Sequence, residues 1–243
     1  MKFPLSNVAF LMLGLTLLLS CSRTQIYETK PTSQINISDQ GYTFENDTVR
    51  ITYNFWADKG QLLFHVFNKL NVPIYIDWKR TSFVQNSQKL DYWTDKTMSK
   101  GVTLYRANGS SGKSKTVETT TKMERVTFIA PKSNVDRNSF VLLIEGFSIP
   151  NSAPSEDLKI KDSPGKKAKY QSFELANSPL VFRNFITFST TEQGENPFYV
   201  DNGFYVSKIL ETKSTNVFTH LGDDNPQNIK AKLYDPTWFY INR

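Results

Sequence analysis

A chain of 243 residues with one cysteine has no second thiol for a disulfide, so the folded part is held by its core alone. Aromatic residues at 14% supply bulky core material, and the formal charge of +6 is spread without a long basic block, which argues against nucleic acid as a partner. The chain opens on Met1-Lys2, a single positive charge, ahead of an apolar run of 12 residues from Val8 to Leu19, interrupted by nothing more polar than Gly14 and Thr16. A spanning helix takes about 20 apolar residues and an export signal about 7 to 15, so this run reads as a signal for export.

The run ends in Leu18-Leu19-Ser20-Cys21, and this stretch resembles the lipobox of bacterial lipoproteins. The resemblance covers the first 21 residues. It implies a signal peptide over 1–20, a diacylglyceryl group on the Cys21 thiol, cleavage before Cys21 and a further acyl chain on the exposed amine. Two or three chains make attachment to a membrane effectively permanent. Loss of Lys2 with the signal takes Lys+Arg from 29 to 28 against 23 Asp+Glu, leaving a net charge near +5. In lipoproteins of Bacteroidota an acidic cluster after the cysteine resembles a surface-export signal. Ser22-Arg23-Thr24-Gln25 has none, which points to the outer membrane and its periplasmic face. The body is similar in style to β-rich lipoproteins of that group.

Residues Ser22 to Gln40 are mostly polar, are interrupted by Pro31 and show no lasting apolar period, so 21–40 is predicted to be a flexible tether with a reach of roughly 25 Å. The folded domain is expected over 41–243. In Val49 to Phe55 apolar and polar residues alternate as in a half-buried strand, Ala57-Asp58-Lys59-Gly60 suits a tight turn, and Leu62 to Asn68 resumes as a second strand. Pro73 precedes a third at Ile74 to Trp78, and the three segments are expected to pair antiparallel. Further strands are predicted at Thr103 to Arg106, Arg125 to Ala130, Phe140 to Glu145, Ser172 to Leu175, Val181 to Ser189 and Gly203 to Glu211, with a last apolar stretch at Trp238 to Ile241. Ala107 to Lys115 reads as a flexible polar excursion, Pro150 to Lys169 as a long loop with room for a short helix near Ser155 to Lys161, and Asn202-Gly203 as a two-residue hairpin turn.

No helical period persists over 11 residues after the signal. The expected fold is therefore all-β, an antiparallel two-sheet sandwich of immunoglobulin-like or jelly-roll-like type, in one domain by preference, with two smaller sandwiches meeting at the Pro150 to Lys169 loop as the alternative.

Several fragments imitate chemical motifs. Ala107 to Ser114 fits a relaxed phosphate-loop pattern, and Ser110-x-x-Lys113 a penicillin-binding one. Both need a helix, and the β-branched run after Lys115 starts one poorly. His65 and His220 are the only imidazoles and lack the spacing of a zinc site. His65 lies within a strand and reads as a structural side chain, so no metal and no cofactor is expected. Gly222-Asp223-Asp224-Asn225 reads as a turn rather than a calcium loop. Trp56, Trp78 and Trp93 with Tyr92 offer a stacking platform for sugar or peptide, weighed against plain core packing. Asp47-Thr48-Val49 is similar to the O-glycosylation motif of Bacteroidota. With no set of acid, base and nucleophile in view, the leading expectation is a non-enzymatic, lipid-anchored module that binds an envelope protein or glycan. The alternative is an envelope hydrolase acting on glycan or peptide through paired carboxylates such as Asp201, Asp223 or Glu195.

Overall fold

The computed structural model describes residues 22–95, 97–108, 111–160, 164–220 and 229–243, with 97–108 and 111–122 described by their backbone alone. The signal peptide over 1–20 and Cys21 lie outside the described residues. In chain order the strands are β1 (Arg23–Pro31), β2 (Asn36–Ser38), β3 (Gly41–Glu45), β4 (Val49–Asn54), β5 (Gln61–Asn68), β6 (Ile74–Asp77), β7 (Ser82–Gln85), β8 (Gln88–Asp91), β9 (Thr97–Asn108) and β10 (Ser111–Lys122). They continue as β11 (Val126–Ile129), β12 (Asn134–Val141), β13 (Ser155–Asp157), β14 (Lys167–Ser172), β15 (Val181–Ser189), β16 (Phe198–Lys213), β17 (Phe218–His220), β18 (Ile229–Ala231) and β19 (Trp238–Asn242), with one helical turn, α1 (Ser214–Val217), after β16.

Alternation along β4 puts Val49, Ile51 and Tyr53 on one face, and β5 answers with Leu62, Phe64 and Val66, all buried. The connection turns at Lys59 and Gly60, both at positive φ, where the chain needs the left-handed region. The small sheet runs β12-β5-β4-β3-β2. A larger sheet runs β11-β6-β15-β16-β1-β19, with β7, β8, β13 and β14 attached. All pairs of named strands are antiparallel, and the sheets are not closed into a barrel. The chain is all-β and packs as a β-sandwich, as its pattern predicts.

The core between the sheets is aromatic. Phe55 meets Phe204 and Phe182 edge-on at 5.1 and 5.3 Å, and Tyr27 stacks on Phe239 at 4.6 Å. A buried polar chain crosses it. The Tyr53 hydroxyl donates to Asn202 Oδ1 at 2.9 Å, Asn184 Nδ2 donates back to Tyr53 at 3.4 Å, and the Tyr92 hydroxyl donates to Asn184 Oδ1 at 2.7 Å. Groups taken out of water are thereby satisfied.

Six sequence expectations are corrected. The stretch 21–40 is not a tether over most of its length, because Arg23–Pro31 forms β1, placed between β16 and β19 within the large sheet, and Asn36–Ser38 forms β2 against β3. Its polar residues hide it. Thr24 and Gln25 are fully buried, Gln25 donating to the Phe147 carbonyl and accepting the Tyr27 hydroxyl at 2.6 Å. Asn202-Gly203 is not a turn but the interior of the 16-residue strand β16, and the reversal falls at 190–197, with Gly194 and Asn196 at positive φ. Residues 107–108 and 111–115 are not a loose excursion, since β9 and β10 pair along 12 residues each, while 109 and 110 lie outside the described residues. The stretch at 155–161 begins with β13 rather than a helix. Residues 172–175 end β14 and enter a 3₁₀ turn over Leu175–Asn177 rather than forming a strand. Finally, β6 leaves the β4–β5 hairpin and joins the other sheet through β11 and β15.

Candidate functional site

Register between β1 and β16 runs evenly from Arg23 opposite Lys213 to Glu28 opposite Lys208, then slips so that Thr29 faces Val206. Ser207 is the extra residue, and its hydroxyl donates to the Glu28 carbonyl at 3.3 Å. A bulge re-aims the side chains beside it. Just before it, Glu28 and Lys208 pair on the outer face of the large sheet, the face that carries Ile26 and Leu210. These two pack with Leu158, Ile160, Val217 and Leu233 into a second, smaller core.

Above that core opens a cleft of about 480 Å³. Leu158, Leu210, Leu233 and Trp238 supply its apolar lining, while Glu28, Glu156, Asp157, Lys159, Lys208, Lys232, Tyr234 and Asp235 supply the polar part. Most of the polar groups are already engaged. Lys208 Nζ lies 2.5 and 2.6 Å from the two Glu156 oxygens and 4.8 Å from the centre of the Tyr170 ring. Asp235 Oδ1 accepts the Thr237 amide and hydroxyl at 2.8 and 2.6 Å, which ties it to its own turn. Glu28 differs. It has no side-chain hydrogen bond or ion pair among the described residues, and burial raises its carboxyl above the ordinary range, with Lys208 opposing and Glu156 and Asp235 adding to the rise. A half-buried carboxylate without a partner, over an apolar lining that includes an indole, suits a ligand with an apolar face and a hydrogen-bond donor. A sugar ring or a peptide side chain has both.

Elsewhere on the large sheet aromatic rings are exposed. Tyr75 meets Phe128 edge-on at 5.6 Å, and Phe185 stacks on Tyr199 at 5.3 Å. Phe128 and Tyr199 are each 55% exposed. Register places Phe128, Tyr75 and Ser189 in one row across β11, β6 and β15, with Phe185 further along β15.

The residues singled out in the sequence are dispersed. Trp78 and Tyr92 are core, their rings 5.4 Å apart, so the four-ring platform does not form. Trp93 packs half-buried against the same core with Lys79 over its ring, and Trp56 joins Tyr234 and Tyr240. His65 lies within β5, on the outward face of the small sheet, with Nδ1 2.6 Å from Asp136 Oδ1 on the neighbouring strand β12. Of the carboxylates proposed for hydrolysis, Asp201 is paired with Arg183 at 2.7 Å, Glu195 lies exposed in the turn before β16, and Asp223 lies outside the described residues with the rest of 222–225. Gly109 and Ser110 also lie outside them. Lys113 and Ser114 belong to β10, so no helix follows the phosphate-loop and serine–lysine look-alikes. Asp47-Thr48 lies in the exposed turn before β4, where Asn46 Oδ1 accepts the Thr48 and Val49 amides at 2.9 and 2.8 Å. No sequence signal marks the cleft. Its residues come from four separate segments, and only the β1–β16 register brings Glu28 to Lys208.

Comparison with protein-family models, with curated proteins and with solved structures finds no match.

Proposed function

We propose that this chain is a lipid-anchored lipoprotein of the bacterial cell envelope, attached to the outer membrane through Cys21 and facing the periplasm, whose β-sandwich is a non-enzymatic module binding an envelope protein or glycan. The observation that carries the anchor is Leu18-Leu19-Ser20-Cys21 directly behind a 12-residue apolar run. In support of binding, the sandwich exposes ring pairs at Tyr75–Phe128 and Phe185–Tyr199 and an amphiphilic cleft at Glu28 and Trp238. Photo-crosslinking in intact envelopes tests it. A crosslinker at Tyr199 or Trp238 is expected to capture a defined envelope component, and one at Asp47, exposed in the β3–β4 turn of the small sheet, is not. Equal, diffuse capture from all three positions contradicts a binding surface at either place.

One observation favours a second reading. Glu28 and Glu156 line one cleft, and a carboxyl raised by burial is what a general acid needs. Hydrolysis of glycan or peptide by the purified protein, abolished in Glu28→Gln, would move the assignment to an envelope hydrolase.

A further inference from the structure

Ser22 is the first residue after the proposed anchor, and it is held in place. Its hydroxyl lies 2.8 Å from that of Ser214, and its carbonyl accepts the Ser214 amide at 3.0 Å. Arg23 then joins the sheet by backbone hydrogen bonds to Arg243 at 3.1 and 2.8 Å. Two extended residues reach at most about 7 Å, so an acylated Cys21 leaves Arg23 no further than that from the lipid interface. The distance is below the screening length of about 8 Å at physiological ionic strength.

Four cations gather at this end. Arg23 and Arg243 have side chains 54% and 45% exposed. Lys213 is exposed opposite Arg23, and Lys167 is exposed on β14, its carbonyl accepting the Thr212 hydroxyl at 2.9 Å. The nearest carboxylate, Glu211, is only 10% exposed and already meets Arg23 at 2.8 Å, Gln25 at 2.9 Å and Arg243 at 3.7 Å. Asp157, opposite Lys167 on β13, and Asp58, whose Oδ1 accepts the Asn242 amide at 3.2 Å, are further acids close by.

We propose that this end of the sandwich rests directly on anionic lipid head groups, with Arg23, Lys167, Lys213 and Arg243 against their phosphates; the proposal rests on acylation of Cys21. β1 then rises from the bilayer, and Glu28, five residues on, stands about 17 Å above it at the ordinary strand rise. The cleft therefore opens beside the membrane rather than out at the end of a tether.

The test uses the full-length acylated protein extracted from membranes and placed in detergent, in phosphatidylcholine vesicles, or in vesicles with about one-third phosphatidylglycerol. Acetylation rates of individual lysines are read by mass spectrometry. Lys167 and Lys213 are expected to react at least about threefold more slowly on the anionic vesicles than in detergent. The slowing should disappear at about 1 M salt, where screening shortens to about 3 Å, while Lys30 and Lys89 do not change. Unchanged rates at Lys167 and Lys213, with the acyl mass present on the Cys21 peptide of the same digest, overturn this contact and leave the anchor standing. Equal slowing on neutral and anionic vesicles overturns the role of charge. An unmodified Cys21 peptide overturns the anchor, and this contact with it.

Discussion

Ser22 and Ser214 face each other through hydroxyls 2.8 Å apart, so the chain is fixed to the sandwich one residue after Cys21. Ser214 opens the helical turn that follows β16, and its hydroxyl also accepts from Thr24 at 2.9 Å. The start of β1 is thus tied to the end of the strand it pairs with. Ser214→Ala removes both contacts from an exposed to half-buried site. The expected cost is about 0.5–1.5 kcal/mol, with faster amide exchange confined to residues 22–24. Exchange that accelerates evenly across β1 would show that the pair does not hold the start of the strand.

The polar chain through the core predicts a larger effect. Tyr53→Phe removes the hydroxyl that joins Asn202 to Asn184 and leaves Asn202 Oδ1 short of a donor in the interior. Denaturant unfolding should show a loss of about 1–3 kcal/mol. A loss indistinguishable from that of an exposed Tyr199→Phe control would mean that water takes the place of the hydroxyl.

How much of this was legible in the sequence depends on where each residue's polarity is spent. β4, β5 and β15 put apolar side chains inward and could be read directly, as could the all-β class. β1 could not, because Thr24, Gln25 and Thr29 are buried and satisfied by partners more than a hundred residues away, such as Phe147 and Thr237. Asn202-Gly203 has the local chemistry of a turn. Tertiary contacts override it, since Asn202 is buried against Tyr53 and neither residue takes a positive φ. The cleft was invisible for a simpler reason: the two carboxylates and the lysine at its centre are 128 and 52 residues from one another by sequence, and nothing local relates Glu28, Glu156 and Lys208.

Glu28 gives a pH-dependent prediction with a definite sign. Its carboxyl is raised in the folded protein relative to the unfolded chain, so its contribution favours folding below the unfolded value and is lost as pH rises through the folded one. Glu28→Gln keeps the shape and removes the titration. The variant should therefore melt higher than the parent at pH 7, with the difference shrinking towards zero below about pH 4. A variant less stable than the parent at neutral pH would reverse the assignment.

Lys208 is the counterweight in the same cleft, lowering the Glu28 carboxyl while binding Glu156. Lys208→Met should raise the Glu28 titration further, read as a shift of its carboxyl carbon resonance to higher pH. No shift would place Lys208 too far away to act on Glu28.

Gly41 sits at φ 120, where a Cβ would lie 2.0 Å from the Tyr53 carbonyl oxygen across the β3–β4 pair. Backbone cannot give way there as a side-chain tip would. Gly41→Ala should cost about 3 kcal/mol or more in a melt or denaturant titration. A cost below about 1 kcal/mol would mean that β3 shifts to make room.

The most direct test of the central claim is the intact mass of the protein purified from membranes. The account predicts a chain that begins at Cys21 and carries diacylglyceryl with a further acyl group, and a Cys21→Ser variant that keeps its signal and lacks the lipid mass. A mature chain cut at another residue, or one that remains membrane-bound with an unmodified thiol, would contradict it.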